Sequence, residues 1–276
     1  MTGSAEGSAK LWWNVLVDHL ALLQTAESVA LSAGGLLWTR FGLAASGVGA
    51  KSTPTDLVSD ADRASDDLVR RLISETRPGD SILSEETGQS DSQGAPSGFR
   101  WIVDPLDGTI NFLFGIPVWA ISIAVEDPDG TVVGVVYDPN RNEVFAASRG
   151  KGATLNGMPI QVSDSREPSR ALIGTGFSYD SRARELQAAI LSRVLPRVRD
   201  IRRAGSATLD LCSVACGRLD GCYEAPLELW DKAAGALIVE EAGGDTSELA
   251  GPLDHADGLI CAGPGLHDQL RALVLG

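Results

Sequence analysis

Apolar residues recur at helical spacing in the first part of the chain. Residues 11 to about 45 carry them, most of them leucine, three to four positions apart, which predicts helix. A glycine-rich loop is expected over 42–49. A second helix is predicted over 59–76, because the same spacing returns there and Pro78-Gly79 ends it.

Short apolar runs replace this spacing in the next part of the chain. Two of them flank Asp127-Pro128-Asp129-Gly130, which predicts a β-hairpin turn. The predicted strands are SIL (81–83), RWIV (100–103), WAISIAVE (119–126), TVVGVVYD (131–138), NEVFAAS (142–148) and GATLNG (152–157).

Beyond about residue 165, predicted strands and helices alternate. Such alternation is typical of an α/β architecture, in which helices cover a sheet. The predicted strands are ALIGTG (171–176), a run near 198–203, DGCYEA (220–225) and GLICAG (258–263). The predicted helices cover 181–195, 206–217, 229–242 and 265–274.

The chain of 276 residues is acidic, with a formal net charge of −14 at pH 7. Proteins that bind the phosphate backbone of nucleic acids present an open basic face, so we expect no nucleic-acid partner. An acidic chain can instead gather carboxylates around cations.

Cysteine and histidine are too few and too scattered for a zinc or iron site. None of the four cysteines shows the C-x-x-C spacing of a zinc site, and Cys212 and Cys216 are expected to be buried on a helix. The three histidines, His19, His255 and His267, are also far apart. Any metal is therefore expected to be bound by oxygen.

The amino terminus shows no targeting signal. The stretch MTGSAEGSAK is small and polar, and polar residues interrupt the apolar stretch after it, so we expect no signal peptide. No window approaches the roughly 18 uncharged apolar residues that a membrane span needs. These features predict a cytoplasmic protein without a membrane partner.

The stretch WIVDPLDGTINF, residues 101–112, places two aspartates after an apolar run. A residue before proline favours extended backbone, so Asp104 is expected to end the strand RWIV. Asp107 is an N-cap candidate for the next segment, where Gly108 lets a ligand approach and free N–H groups attract phosphate. The hairpin sequence EDPDGT at 126–131 has nearly the same letters, so a plain turn stays open on this motif alone.

Further acidic residues follow other predicted elements. SEETG places Glu85 and Glu86 after a short strand, and Asp231 begins a predicted helix. Taken alone, Asp231 fits a first-turn residue that the helix dipole favours.

Six sequence blocks, taken together, resemble the inositol monophosphatase family. They occur in the family's order over about residues 50–265, and a D-P-x-D-G-T-x-N-F block with a downstream W-D-x-A-A-G is specific. The blocks are KSTPTDLVSDAD (51–62), SEETG (84–88), WIVDPLDGTINF (101–112), GKGATLNG (150–157), RRAGSATLDLC (202–212) and WDKAAGALIVEEAGG (230–244).

The resemblance implies a layered αβαβα sandwich of mixed α+β and α/β type, usually dimeric. It implies hydrolysis of a small phosphate monoester with Mg²⁺ and frequent inhibition by Li⁺. We expect an N-terminal half, 1–160, with most metal ligands, and a C-terminal half, 161–276, with Asp231 and the substrate pocket. Both halves are expected to form one catalytic domain.

By resemblance, the metal ligands are acidic side chains and one carbonyl. Glu85, Asp104 and the carbonyl of Leu106 look like ligands of the first Mg²⁺, and Asp104, Asp107 and Asp231 like those of the second. Hard oxygen ligands of this kind suit Mg²⁺, and phosphoryl transfer between two such ions requires no covalent nucleophile.

A third, weaker Mg²⁺ would rely on Glu85, with Asp62 nearby. By the same resemblance, Thr109 paired with Asp62 would orient the attacking water, and Glu85 belongs to this catalytic set. The N–H groups of Gly108 and Thr109 would hold the phosphate.

Substrate contacts are also carried over from the resemblance. Glu224 matches the residue that hydrogen-bonds substrate hydroxyls, and Gly205, Ser206 and Ala207 match the edge of the polyol pocket. Asp231 also borders this pocket. Lys51 matches a lysine near the metal site, although it could equally solvate a loop. The GKGATLNG block is expected to be structural, because its Gly and Asn residues suit turns.

Inositol monophosphate is the expected substrate, with two alternatives inside the family. Histidinol-phosphate phosphatases tend to carry aspartate where this chain has Ser206, which disfavours that substrate. Fructose-1,6-bisphosphatase activity would need cationic contacts, which Arg202 or Arg203 could offer. Glu228 adds an acidic side chain at a position where relatives carry different residues. Which inositol phosphate the protein prefers therefore stays open.

Two other classes of function stay open. A regulatory interaction protein need not keep all of the hydrolytic residues, and a cation-binding module would bind metal without turnover. The first 50 residues, with Trp12, Trp13 and Trp38, contain no block that we can assign to the family, and we expect two helices with aromatic core contacts there.

Overall fold

The computed structural model describes residues 4–44, 46–51, 57–253 and 255–276, and the side chains from residue 19 onward. Residues 52–56 of the block KSTPTDLVSDAD and the side chains of Trp12 and Trp13 lie outside the described part. The described helices are α1 (Ser4–Trp38), α2 (Asp60–Thr76), α3 (Thr109–Leu113), α4 (Ser181–Val194), α5 (Ala207–Ala215), α6 (Leu229–Glu241) and α7 (His267–Leu275).

Two large sheets and one small ribbon contain the described strands. The ribbon pairs β1 (Gly49–Ala50) with β2 (Leu57–Val58). The first sheet holds β3 (Ser81–Ser84), β4 (Gly88–Ser90), β5 (Arg100–Asp107), β6 (Ala120–Asp127), β7 (Gly130–Asp138), β8 (Glu143–Ser148), β9 (Ala153–Leu155) and β10 (Met158–Pro159). The second holds β11 (Leu172–Thr175), β12 (Asp200–Arg202), β13 (Gly221–Glu224), β14 (Asp245–Leu249) and β15 (Gly258–Ala262).

The strand orders are β10-β9-β8-β7-β6-β5-β3-β4 and β12-β11-β13-β15-β14. In the first sheet only β3 and β5 are parallel. In the second sheet β11 is parallel to both β12 and β13, and β15 runs antiparallel to β13 and β14.

Five layers follow from the side-chain alternation of the central strands. On β5, Trp101 and Val103 face α1 and α2, whereas Ile102 faces α5 and α6. Helices α5 and α6 also pack on the second sheet through Cys261, and α4 and α7 cover its outer face. The αβαβα sandwich is therefore confirmed. The division of the chain at about residue 160 stays a prediction.

Most predicted elements occur within a few residues of their expected bounds, but several differ, and the short strands β1, β2, β4 and β10 were not predicted. The described amino-terminal segment is one helix, α1, instead of two, and Trp38 near its end stacks on Phe41. Strand β5 runs on to Asp107 instead of ending at Asp104. Strand β14 was not predicted, because its sequence DTSEL is polar and it lies at a sheet edge.

Helix α1 is also long and apolar enough to resemble a membrane span. Among the described residues, the segment His19–Trp38 is long and apolar enough, by length and composition alone, to cross a membrane. From the sequence we expected no segment of this kind. Buried helices of globular cores pass the same test. Leu22, Ala26 and Leu37 are fully buried in the core cluster on the first sheet, so the core explains the apolar residues on this side of the helix.

Two adjacent glycines near the end of α1 have different surroundings. A Cβ atom on Gly34 would lie 2.4 Å from Cε1 of Tyr137 on β7. Gly34→Ala is therefore expected to lower the free energy of unfolding by about 1–3 kcal/mol through overpacking. No described atom lies within 4 Å of the same position on Gly35. Gly35→Ala should raise the free energy of unfolding by about 0.5–1 kcal/mol through helix propensity. Urea unfolding measures both, and equal changes would contradict this packing of α1 on β7.

Candidate active site

One pocket of about 390 Å³ gathers residues from both sheets. Its walls come from the loop after β3, the turn between β5 and α3, the start of α5, the end of β13 and the start of α6. The predicted site residues that line it are Lys51, Glu85, Asp104, Leu106, Asp107, Gly108, Thr109, Gly205, Ala207, Glu224 and Asp231. Two more, Asp62 and Ser206, are buried behind this wall.

The turn after β5 carries the first part of the site. The Asp104 carboxylate accepts a hydrogen bond from the Leu106 N–H at 3.0 Å, and the Pro105 carbonyl accepts one from Ser65 Oγ at 2.8 Å. The backbone then turns at Gly108 with φ +93°, a conformation that favours glycine. These contacts fix the direction in which the Leu106 carbonyl and the start of α3 face the pocket.

Asp107 does not cap α3 as predicted, because Gly108 holds that position. Its carboxylate instead accepts hydrogen bonds at the start of α5. Ser206 Oγ donates to Asp107 Oδ2 at 2.5 Å, and the Thr208 N–H and Oγ1 donate to the same oxygen at 2.9 and 2.5 Å. The N-cap prediction is therefore wrong: Ser206 is the N-cap of α5, and Asp107 accepts hydrogen bonds at the start of that helix, about 100 residues further along the chain.

Asp62 and Thr109 form the predicted pair. Thr109 Oγ1 lies 2.8 Å from Asp62 Oδ1 and 3.2 Å from the Leu106 carbonyl oxygen. Asp62 is held from the other side, since its Oδ2 accepts from the N–H and Oγ of Ser59 at 2.9 and 2.6 Å. This capping box at the start of α2 orients Asp62 before any ligand arrives.

Glu85 lies beside a lysine. Lys51 Nζ is 2.8 Å from Glu85 Oε1 and 2.5 Å from Glu86 Oε1. Burial acts to lower the pKa of Lys51, but the two carboxylates outweigh it and raise that pKa. Burial raises the pKa of Glu86 to about 7, against the effect of Lys51. Lys51 therefore contacts the site instead of solvating a loop.

Asp231 enters the pocket from the first turn of α6. Its Oδ2 accepts the Glu228 N–H at 2.7 Å. The residue is thus a first-turn acid, as the simpler interpretation stated, and it also lines the pocket. One contact does not exclude the other, because a carboxylate has two oxygens.

Burial and like charges raise the pKa of the carboxyl groups in the pocket. For Asp104 and Asp231, burial is the larger cause, and the carboxylates of Glu85 and Asp107 add to it. Burial also raises the pKa of Asp107, against its hydrogen bonds from Ser206 and Thr208. Negative charges held this close need a cation nearby if all are to stay ionised.

The donor set fits Mg²⁺, although the side chains are turned to protein partners. Among the described residues, no three His, Cys, Asp or Glu side chains already form a metal-binding group. Glu85 contacts Lys51, and Asp107 and Asp231 accept backbone N–H groups at the starts of α5 and α6. The pocket nevertheless brings together the four predicted carboxylate ligands, each buried or partly buried, and the Leu106 carbonyl, which are the kinds of oxygen ligand that Mg²⁺ prefers.

The other side of the pocket contains the predicted substrate residues. Glu224 ends β13, and burial raises its pKa to about 7, with a further rise from Asp107 and an opposing effect of Arg203. Gly205 and Ala207 line the wall, whereas Ser206 points away to Asp107. The roles assigned to these residues stay predictions.

Sequence reasoning missed several residues that hold the site together. Thr208 and Ser59 support Asp107 and Asp62, and buried Asp66 accepts hydrogen bonds from Ser84 Oγ and Thr87 Oγ1 on either side of Glu85. The capping pattern S-x-x-D at 59–62 was a readable signal for one of them. No local signal indicates the long-range partners of Asp66 and Asp107.

The chain is similar to known proteins both in sequence and in fold. A model of the inositol monophosphatase family matches residues 18–275. The chain is 43% identical over 268 residues to the inositol-1-monophosphatase SuhB of Mycobacterium tuberculosis, which covers 91% of this chain and 92% of that protein. It is 43% identical over 202 residues to the Nus factor SuhB of Pasteurella multocida, and this alignment covers 73% of this chain and 74% of that protein. The crystal structure of extragenic suppressor protein suhB from Bartonella henselae matches with a TM-score of 0.85 and 36% identity, over 92% of this chain and 98% of that one.

Proposed function

The chain belongs to the inositol monophosphatase family, and we propose that it hydrolyses inositol monophosphate to inositol and phosphate with Mg²⁺ as cofactor. At the coarser level it is a phosphatase of the inositol-1-monophosphatase type. The observation that supports the finer proposal best is the common pocket. It brings the four carboxylates proposed as metal ligands, Glu85, Asp104, Asp107 and Asp231, next to a threonine–aspartate pair.

In this proposal Glu85, Asp104, Asp107, Asp231 and the Leu106 carbonyl hold two Mg²⁺ ions, and Glu85 with Asp62 could take part in a third. The ions supply charge neutralisation for the phosphate and make a nearby water more acidic. Two-metal phosphoryl transfer otherwise depends on positioning, which is the task of the remaining residues.

The protein's own groups position the reactants. Gly108 and Thr109 line the pocket at the start of α3, and in this proposal their N–H groups donate to phosphate oxygens. Thr109 Oγ1, held by Asp62, lies where it can accept a hydrogen bond from the attacking water. Glu224 lies across the pocket, where its carboxylate can accept hydrogen bonds from hydroxyls of the leaving alcohol.

The assay for this proposal is phosphate release from inositol 1-phosphate. Release is expected with Mg²⁺, and removal of the metal with EDTA is expected to abolish it, because the buried carboxylates would otherwise repel the anionic ester. Adding Mg²⁺ back should restore the rate, and Li⁺ should inhibit it. The proposal fails if the ester is stable with Mg²⁺, or is cleaved equally well in EDTA.

A regulatory protein-interaction role is a second candidate, which the similarity to the Nus factor SuhB of Pasteurella multocida favours. Absence of phosphate release from every small phosphomonoester tried would support this candidate. A homodimer, a cytoplasmic location and the lack of nucleic-acid and membrane partners stay proposals, which light scattering, cell fractionation and binding assays can test.

A further inference from the structure

A small apolar cavity lies beside the catalytic pocket, between α4 and the second sheet. It has a volume of about 200 Å³, and its walls come from α4 and from the ends of β11, β13 and β14. The proposed reaction gives this cavity no role. Its apolar lining includes Phe177, Leu186, Ile190, Leu249, Ala250 and Pro252.

Three polar side chains around the cavity are already paired. Gln187 Nε2 donates to the Ala225 carbonyl at 2.6 Å, and Gln187 Oε1 accepts the Ser178 N–H at 2.9 Å. Tyr223 is hydrogen-bonded to Thr175. A water molecule inside a protein needs about two to four polar partners, so the cavity suits an apolar ligand better than ordered water.

One wall of the cavity is also a wall of the catalytic pocket. Phe177 and Glu224 line both spaces. The Glu224 carboxylate rests against Gly176, where it leaves no room for a Cβ atom, and Gly176 also lines the cavity. A molecule that fills the cavity therefore lies against the residue that is proposed to bind the hydroxyls of the substrate.

The volume of the cavity limits what can bind there. An engineered apolar cavity of about 150 Å³ holds a benzene molecule, so this cavity of about 200 Å³ has room for a substituted single ring. An α-helix with its side chains is about 10 Å across and requires a longer groove. A single side chain is the largest part of a protein that would fit.

We propose that the cavity binds a small uncharged apolar molecule of about seven to ten non-hydrogen atoms, and that its occupancy weakens substrate binding in the catalytic pocket. An apolar ligand removes water from one side of Glu224, which disfavours the charged form of the carboxyl group. A neutral carboxyl group accepts weaker hydrogen bonds from substrate hydroxyls than a carboxylate does. The effect on the substrate rests on the proposed function, whereas binding of the ligand does not depend on it.

A side chain of this protein is the competing occupant. Leu253 follows Pro252 in the chain, is 49% exposed, and has a φ of +57°, in the left-handed region that favours glycine. Insertion of Leu253 into the cavity would bury its apolar surface. In that case Leu253→Ala would empty the cavity and bind a ligand there at least about tenfold more tightly than the unchanged protein.

The test uses toluene as the probe and measures its binding by saturation-transfer NMR. We expect the unchanged protein to bind toluene with a dissociation constant of about 1 mM or lower, as small apolar ligands do. Leu186→Trp and Ala250→Phe enlarge two lining residues and should each weaken binding at least about fivefold, because they take up the volume. Ala188→Trp is the matched control, since Ala188 is exposed on the side of α4 opposite Leu186 and Ile190.

Toluene is also expected to raise KM for inositol 1-phosphate at least about twofold with Mg²⁺ present and kcat unchanged, and this effect should disappear in Leu186→Trp. The inference is overturned if toluene does not bind, if both enlarged variants bind it as well as the unchanged protein, or if KM stays the same while toluene is bound. Tighter binding by Leu253→Ala would also overturn it, because the cavity then belongs to that side chain. If toluene binds but inositol 1-phosphate releases no phosphate, the proposed function fails and the binding site stands.

Discussion

Asp104→Asn is expected to lower the turnover of inositol 1-phosphate by at least about a thousandfold. Asp104 is the one carboxylate proposed to contact both metal ions, and metal ions contribute several kcal/mol to the stabilisation of such transition states. The variant should still fold, since asparagine Oδ1 can accept the hydrogen bond that the Leu106 N–H now makes at 3.0 Å. It also removes a negative charge from a buried group of like charges. Phosphate release at saturating Mg²⁺ and urea unfolding measure the two effects.

The hairpin between β6 and β7 supplies a matched control. Asp127 also precedes a proline, and its carboxylate accepts the Asp129 N–H at 2.8 Å, so both aspartates form the same local turn. Asp127 pairs with Arg149 at the surface instead of lining the pocket. Asp127→Asn should leave kcat unchanged. A near-normal kcat for Asp104→Asn, or an equal loss in both variants, would exclude the metal-binding assignment.

These two turns also show what the sequence could and could not predict. Both D-P stretches form the same hydrogen bond, because a short side chain reaches its own backbone two residues on, and a turn was open for both from the letters alone. The letters could not predict burial, which depends on what packs around the turn. Asp104 is 2% exposed and lines the pocket between both sheets, and the six distant blocks singled it out as a metal ligand only through the family resemblance.

The fold was more predictable than the contacts inside the site. Apolar spacing predicted nearly all helices and central strands, because those elements bury continuous apolar faces, as α2 does with Val69 and Ile73. The edge strand β14 has few apolar residues in its sequence and was therefore not predicted. The hydrogen bonds of Asp107 to Ser206 and Thr208 join positions about 100 residues apart, and no local rule encodes such a pair.

Thr109→Val tests the second essential part of the proposal, the positioning of water. The substitution keeps the shape of the side chain but removes the hydroxyl that Asp62 holds at 2.8 Å. Groups that orient or deprotonate a nucleophile contribute about a hundredfold to ten-thousandfold to a rate, so kcat is expected to fall by at least about a hundredfold. Because Asp62 Oδ1 loses its buried partner, the free energy of unfolding should also fall, by about 1–3 kcal/mol.

Thr109→Ser separates these two effects, because it restores the hydroxyl without the methyl group. Serine is expected to recover kcat to within about tenfold of the unchanged protein. The Mg²⁺ concentration for half-maximal activity should stay similar in the unchanged protein and both variants, because Thr109 supplies no metal ligand in this proposal. Measurement of kcat across a Mg²⁺ series, well below each variant's unfolding temperature, gives both quantities. If valine shifts the Mg²⁺ requirement but leaves kcat at saturation intact, the hydroxyl supports metal binding instead. A serine variant as slow as the valine variant would show that packing by the methyl group, and not the hydroxyl, sets the rate.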